Sequence, residues 1–398
     1  MSLFGIPVEF FIFAATLVAI ASFHKLALHS ALAGLAVTVG LKLFALGGSD
    51  GLVWLGHHLA HEWPLLANLF LLLIGFAVLA NHFELSDIPD SLPPLLPQSW
   101  WGGVILLGIV FVMSIFLDNI AAAIIGGVMA KHVYRGRVGT GYLAAIVAAS
   151  NAGGAGSVIG DTTTTMMWIS GVSPLVVATA FLASFAAFAV FAPLAALQQQ
   201  RLAPVQTTRE VNVTIDWPRG VIVLLLLLSI MAVNVVGSGW ARSVIGAGPW
   251  LGIGLWITIL LTAIWRRPDW SVVSGATSGA TFLVALVAIA SMMPVQQLPA
   301  ASWQTVLGLG FLSAVFDNIP LTALALKQGG YDWGLLAYAV GFGGSMIWFG
   351  SSAGVALSNL YPDKVRTLGG WLRFGWFVPV AYVVGFFVLL LVFGWRPS

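Results

Sequence analysis

The chain has no cysteine in its 398 residues. That excludes disulfides, thiolate metal centres and cysteine nucleophiles together. Charge is nearly as scarce, with Asp, Glu, Lys and Arg making up 8% of the residues, against about 25% in ordinary soluble domains. At 59% hydrophobic residues the chain reads as a polytopic membrane protein, and length-based domain counting does not apply to it. The net charge of +2 comes from loop lysines and arginines and carries no nucleic-acid signal. A basic leader followed by a small-residue cleavage site is lacking as well, so the first apolar run, 8 to 23, reads as a retained span. The 17 tryptophans fit interfacial belts, with Trp100-Trp101 and Trp371 opening apolar runs.

Apolar runs long enough to span a bilayer occupy residues 8–23, 26–46, 63–81, 141–165, 174–197, 219–236, 249–265, 270–292, 334–358 and 371–393. Two further segments, 101–130 and 303–326, carry an Asp-Asn pair in the middle of apolar sequence: FLDNIAAAIIGG around Asp118-Asn119 and FDNIPLTALAL around Asp317-Asn318. The first is too long for one ordinary helix and too short for two. Both therefore read as re-entrant hairpins that turn at the Asp-Asn, a shape tolerable at membrane depth only where the backbone is buried in protein or lines a wet cavity.

The Asp-Asn pair recurs after 199 positions. A second motif recurs in the same order: SNAGGAGSVIGDTTTT (150–165) and GFGGSMIWFGSSAGVA (341–356) both place a third glycine after a double one, as Gly153, Gly154, Gly160 and Gly343, Gly344, Gly350. The expected fold is thus all-α, with about ten transmembrane helices and two hairpins in two repeats: residues 1–200, a cytoplasmic linker 201–218, and 219–398. Five spans and a hairpin per half make an odd number of crossings, which inverts the second repeat relative to the first, an architecture of many secondary transporters. On this topology twelve lysines and arginines are cytoplasmic and four external, as the positive-inside rule requires.

Three acids lie inside apolar segments: Asp118, Asp161 and Asp317. A carboxylate at the bilayer centre costs at least about 2.5 kcal/mol, so each marks a functional site by default. No lysine or arginine lies at that depth; Lys42 and Lys327 fall near segment ends, where they can snorkel. Carboxylates, asparagine amides, a threonine run and freed carbonyls are hard oxygen donors suited to an alkali or hard divalent cation. A proton and a cation then compete to neutralise the same group. His57, His58 and His61 are expected in an external loop, as interfacial histidines rather than a metal site.

The runs LDNIAAAIIGG, SNAGGAGSVIGDTTTTMMWISG, FDNIPLTALAL and GFGGSMIWFGSSAGVA resemble the NhaD-type sodium/proton antiporters of the ion transporter superfamily, which also holds citrate, dicarboxylate and arsenite carriers. The resemblance covers most of residues 100–375. It implies a homodimer in the cell inner membrane, with a scaffold part and a transport part, lipid contacts, no enzymatic activity and no cofactor. Sodium would bind near the hairpin tips, by Asp118, Asn119, Asn151, Asp161, Thr163, Thr164, Asp317, Asn318 and Ser345, with backbone from Gly153, Gly154, Gly343 and Gly344. A rival reading is a sodium- or proton-coupled carrier of a small anion such as citrate, or an arsenite exporter. A rival of another class is an intramembrane aspartyl protease, for which VIGD at Asp161 lacks the glycine two residues earlier.

Overall fold

A computed structural model of the protein describes residues 2–3, 6–22, 26–88, 91, 96–206, 214–236, 248–294, 298–316, 318–365 and 368–398. It is helical throughout, apart from a two-residue strand pair near the start, Ser2–Leu3 with Ile6–Pro7. The helices are α1 (Val8–Ser22), α2 (Ala27–Leu46), α3 (Gly48–Glu84), α4 (Trp100–Phe116), α5 (Asn119–Val133), α6 (Thr140–Ala155), α7 (Thr162–Ile169), α8 (Pro174–Ala178) and α9 (Ala180–Leu202). Then follow α10 (Trp217–Val236), α11 (Trp250–Thr262), α12 (Ser271–Ser291), α13 (Trp303–Ser313), α14 (Asn318–Gln328) and α15 (Trp333–Gly343). A 3-10 turn (Gly344–Met346) leads to α16 (Ser352–Leu360), α17 (Pro362–Val365), α18 (Leu368–Phe374) and α19 (Phe377–Phe393).

Four of these stretches are long and apolar enough to cross a bilayer: Ala27–Leu46, Gly48–Glu84, Pro174–Leu202 and Ser271–Ser291. The last apolar run, expected as one span over 371–393, is instead a pair, α18 and α19, bent by 58°. The runs expected at 141–165 and 334–358 are both broken after their double glycines, into α6 and α7 and into α15 and α16. The chain is a multi-pass helical membrane protein.

Contacts divide the chain into two compact units, each drawing on both halves of the sequence. The first takes Met1–Val78, Leu225–Pro299 and Thr322–Gln328; in it α1 and α12 pack against α2. The second takes Leu79–Leu224, Ala300–Leu321 and Gly329–Ser398. Two helices form its centre. Every residue of α6 from Gly141 to Ala155 is buried, and so is every residue of α15. A helix apolar all round has no solvent face to keep and belongs inside, and the alanines and glycines of α6 let neighbours come close. Around them α4 and α9 pack on α6, α13 packs on α15, and α9 lies along α19.

The Asp118 hairpin is visible in this unit as a fold-back. A Cβ on Gly126 would strike Val110, each eight residues from Asp118, and one on Gly103 would meet the Tyr134 hydroxyl at 2.8 Å. Contacts mirrored about residue 118 require α4 and α5 to run antiparallel, with the turn at Leu117-Asp118. In the first unit the Gln328 amide donates to the Pro299 carbonyl at 2.8 Å, so after α14 the chain returns to where it stood before α13.

One expectation is overturned here. The stretch bearing His57, His58 and His61 is not a loop: α3 begins at Gly48, well before the span expected at 63–81, and carries all three histidines. Trp54 and His58, one turn apart, stack with ring centroids 4.9 Å apart, and His58 Nε2 meets Ser291 Oγ at 2.9 Å. Leu52, Leu55 and Leu59 supply helical spacing, which the glycines and histidines between them obscure.

Candidate functional site

The candidate residues that the structure describes all belong to the second unit, where helices are interrupted. Asp118 caps α5, its carboxylate accepting from the Ile120 amide at 3.3 Å. Asp161 caps α7, accepting from the Thr163 amide at 2.9 Å. Ser351, the repeat counterpart of Asp161, caps α16 by accepting from the Gly354 amide at 3.3 Å. Each break thus has an oxygen-bearing residue at a new helix start, where exposed N–H groups and the dipole favour negative charge.

The two breaks are built alike down to single contacts. Ser114 Oγ donates to the Ser150 carbonyl at 2.5 Å, and Ser313 Oγ to the Val340 carbonyl at 2.7 Å. Side chains at Gly153 and Gly343 would collide with the Phe111 and Gly310 carbonyls, and at Gly160 and Gly350 with the Ser114 and Ala314 carbonyls. These glycines are there because backbone passes backbone. Both serines lie four residues before their Asp-Asn, as SIFLDN and SAVFDN, a repeated signal that the sequence reading passed over.

Where α6 crosses α15, contacts are reciprocal. Asn151 Nδ2 donates to Ser345 Oγ at 3.0 Å; at the equivalent positions a Cβ on Gly341 would lie 3.2 Å from the Ala155 Cβ. Asn151 also accepts from Asn119 Nδ2 at 3.1 Å, so Asn119, Asn151 and Ser345 form one buried amide–amide–hydroxyl chain. Opposite it, Asn318 Nδ2 points at Asp161 Oδ2 from 3.5 Å. The Trp371 indole N–H donates to the Ser345 carbonyl at 3.4 Å, a further support that no motif foretold.

Asp161 is 2% exposed. The helices that build its surroundings carry lysine only near the far ends of α5 and α14, at Lys131 and Lys327. Among the threonines the structure separates roles. Thr164 Oγ1 donates to the Ser157 and Asp161 carbonyls, at 2.5 and 2.8 Å, and Thr165 Oγ1 to those of Val158 and Asp161, closing the loop onto α7. Thr163 is fully buried, and its hydroxyl finds no partner among the described residues. Asp118 is half-buried, and Asp317 lies outside the described residues.

Among the described residues no three of His, Cys, Asp and Glu come together as a metal-binding group. What does come together is the Asn119–Asn151–Ser345 chain and, separately, the Asn318 amide with the Asp161 carboxylate.

The chain is similar to two curated plant proteins. Sodium/proton antiporter 1 of Arabidopsis thaliana is 29% identical over 330 residues, covering 71% of this chain and 54% of its own length. Sodium/proton antiporter 2 of the same plant is 27% identical over 330 residues, covering 71% of this chain and 74% of its own. The chain thus spans about half the length of the first. No protein-family model matches the chain.

Proposed function

We propose that the chain is a secondary active transporter that exchanges sodium or lithium for protons, of the NhaD type and working as a homodimer in the cell inner membrane. The observation that carries this reading is the buried Asp161 carboxylate, which caps a broken helix through the Thr163 backbone N–H and is met by the Asn318 amide, in a chain similar to two sodium/proton antiporters.

The mechanism follows from the cost of that charge. A carboxylate so far from water needs a counter-charge or a proton. A cation held by Asp161, Asn318 and Thr163 supplies the first, and a proton supplies the second. The two cannot share the same oxygens, so binding one releases the other. Asp118 and Asp317 would contribute from the hairpin tips. If the repeats are inverted, rocking of one part against the other presents the same site to each side in turn.

Protein in liposomes with an internal pH dye, challenged with sodium, lithium, potassium and citrate, tests this. Sodium and lithium should move protons; potassium and citrate should not. Asp161→Asn should abolish the response with the melting profile kept, while Ser351→Ala should lower cation affinity only partly. A response to citrate alone would put the anion carrier first.

A further inference from the structure

Lysines and arginines of a membrane protein collect on one face, but that rule does not require distant segments to bring them to one place. In the second unit they are brought together. The turn after α5 is the meeting point: the Arg137 guanidinium donates to the Leu202 carbonyl, next to Arg201, at 3.2 Å. Lys364 Nζ donates to the Val138 carbonyl at 2.8 Å. A Cβ on Gly141 would stand 2.5 Å from the Phe374 carbonyl, next to Arg373. The turn itself is closed, since Arg135 and Gly136 take φ of 46° and 74° and the Gly136 amide donates to the Lys131 carbonyl at 2.7 Å.

Lys131, Arg135, Arg137, Arg201, Lys364 and Arg373 thus come from three segments to one end of the unit, and all but the half-buried Lys364 are exposed. Against these charges, residues 131–141, 197–206 and 362–376 hold one acid, Asp363. Among the described residues no salt bridge takes any of the six. The surface beside them is apolar. Leu202, Phe374 and Trp376 are exposed, and so is Trp101, whose neighbour Gly102 would bring a Cβ to 3.2 Å from Val205. Exposed tryptophans sit at the depth of lipid headgroups.

We propose that this end of the second unit is a binding surface for anionic lipid headgroups, whose phosphates supply the counter-charge that the protein does not. On the expected topology all six residues are cytoplasmic, on the side where anionic lipids attract basic segments. A soluble anion would meet the charges but leave the exposed tryptophans without a role. The inference rests on the membrane reading of the fold and not on the exchange of sodium for protons.

Binding of phosphatidylglycerol, phosphatidylcholine and inorganic phosphate to the detergent-solubilised protein, followed by native mass spectrometry, tests this. Phosphatidylglycerol should bind at least roughly tenfold more tightly than phosphatidylcholine. R135Q/R137Q and R201Q/R373Q should each lose that preference, because the segments share one surface. R266Q/R267Q removes the same charge from exposed positions of the first unit and should keep it. R135K/R137K retains the charge and should bind like the parent, which separates lost attraction from a damaged fold. Retention of the preference in either cluster variant, or an equal loss in R266Q/R267Q, would overturn the proposal. So would inorganic phosphate that displaces the lipid at comparable concentration, which would mark a site for a soluble anion.

Discussion

Thr163 and Thr164 are sequence neighbours in opposite hydrogen-bonding states, and the difference can be measured. Thr164 ties its loop to α7 through two carbonyls, so Thr164→Val should destabilise by about 1–2 kcal/mol as those bonds are lost. Thr163 makes no such bond among the described residues. Thr163→Val keeps shape and removes an unsatisfied hydroxyl, which leaves stability unchanged or raised by about 1 kcal/mol. Cation affinity should nevertheless fall roughly tenfold, the worth of one good oxygen ligand. Thermal melts and transport titrations on both variants check this. A Thr163→Val protein with normal affinity would take the residue out of the site. The threonine run stood out in the sequence because four hydroxyls in apolar surroundings are unusual, but which of them is spoken for depends on how the 157–161 loop folds back over α7, and no spacing rule reports that.

At the scale of elements, the hairpin at Asp118 and the crossing of α6 with α15 define the second unit. The mirrored contacts about residue 118 mean that the start of α4 and the end of α5 lie together. In a membrane those ends should face the same side. Single cysteines at the exposed Gln98 and Arg137, introduced into a cysteine-free chain, should label with an impermeant reagent from one and the same side; labelling from opposite sides would eliminate the re-entrant hairpin and the inversion with it. The interruption at Asp118-Asn119 was legible because polar residues in an apolar run announce a break. The 37-residue length of α3 was not, because its first turns mix Gly, His and Asp with the leucines and so blur the apolar periodicity that marks a helix.

For the whole molecule, the proposed exchange makes a statement about linkage. If a proton and a cation compete for the same buried carboxylates, a low pH leaves them protonated and the cation must displace a proton to bind. Apparent cation affinity should then rise with pH, by roughly tenfold per unit for each proton displaced, and level off once the groups are ionised. Calorimetry of sodium and lithium binding in buffers of different ionisation enthalpy counts those protons directly. A count near zero at every pH would refute competition as the coupling device. Such a count belongs to the coupled set and not to one aspartate.

The amino-acid sequence by itself determined that the chain is an apolar, cysteine-free membrane protein with a repeated pair of broken segments, because bilayer solvation acts on composition and on every polar residue in an apolar run. It also marked Asp161, Asn119, Asn151 and Asn318 as candidates, since buried polar groups are expensive wherever they fall. Only the tertiary structure decided who meets whom. Asn151 reaches Ser345, 194 residues away, while its counterpart Gly341 has no side chain to do the same. That division is made by the place where α6 crosses α15, which is set by close packing of small residues along two fully buried helices. Two halves alike in motif thereby become unequal in chemistry: one side of the crossing closes through amide hydrogen bonds, and the other through close packing of Gly341 on Ala155.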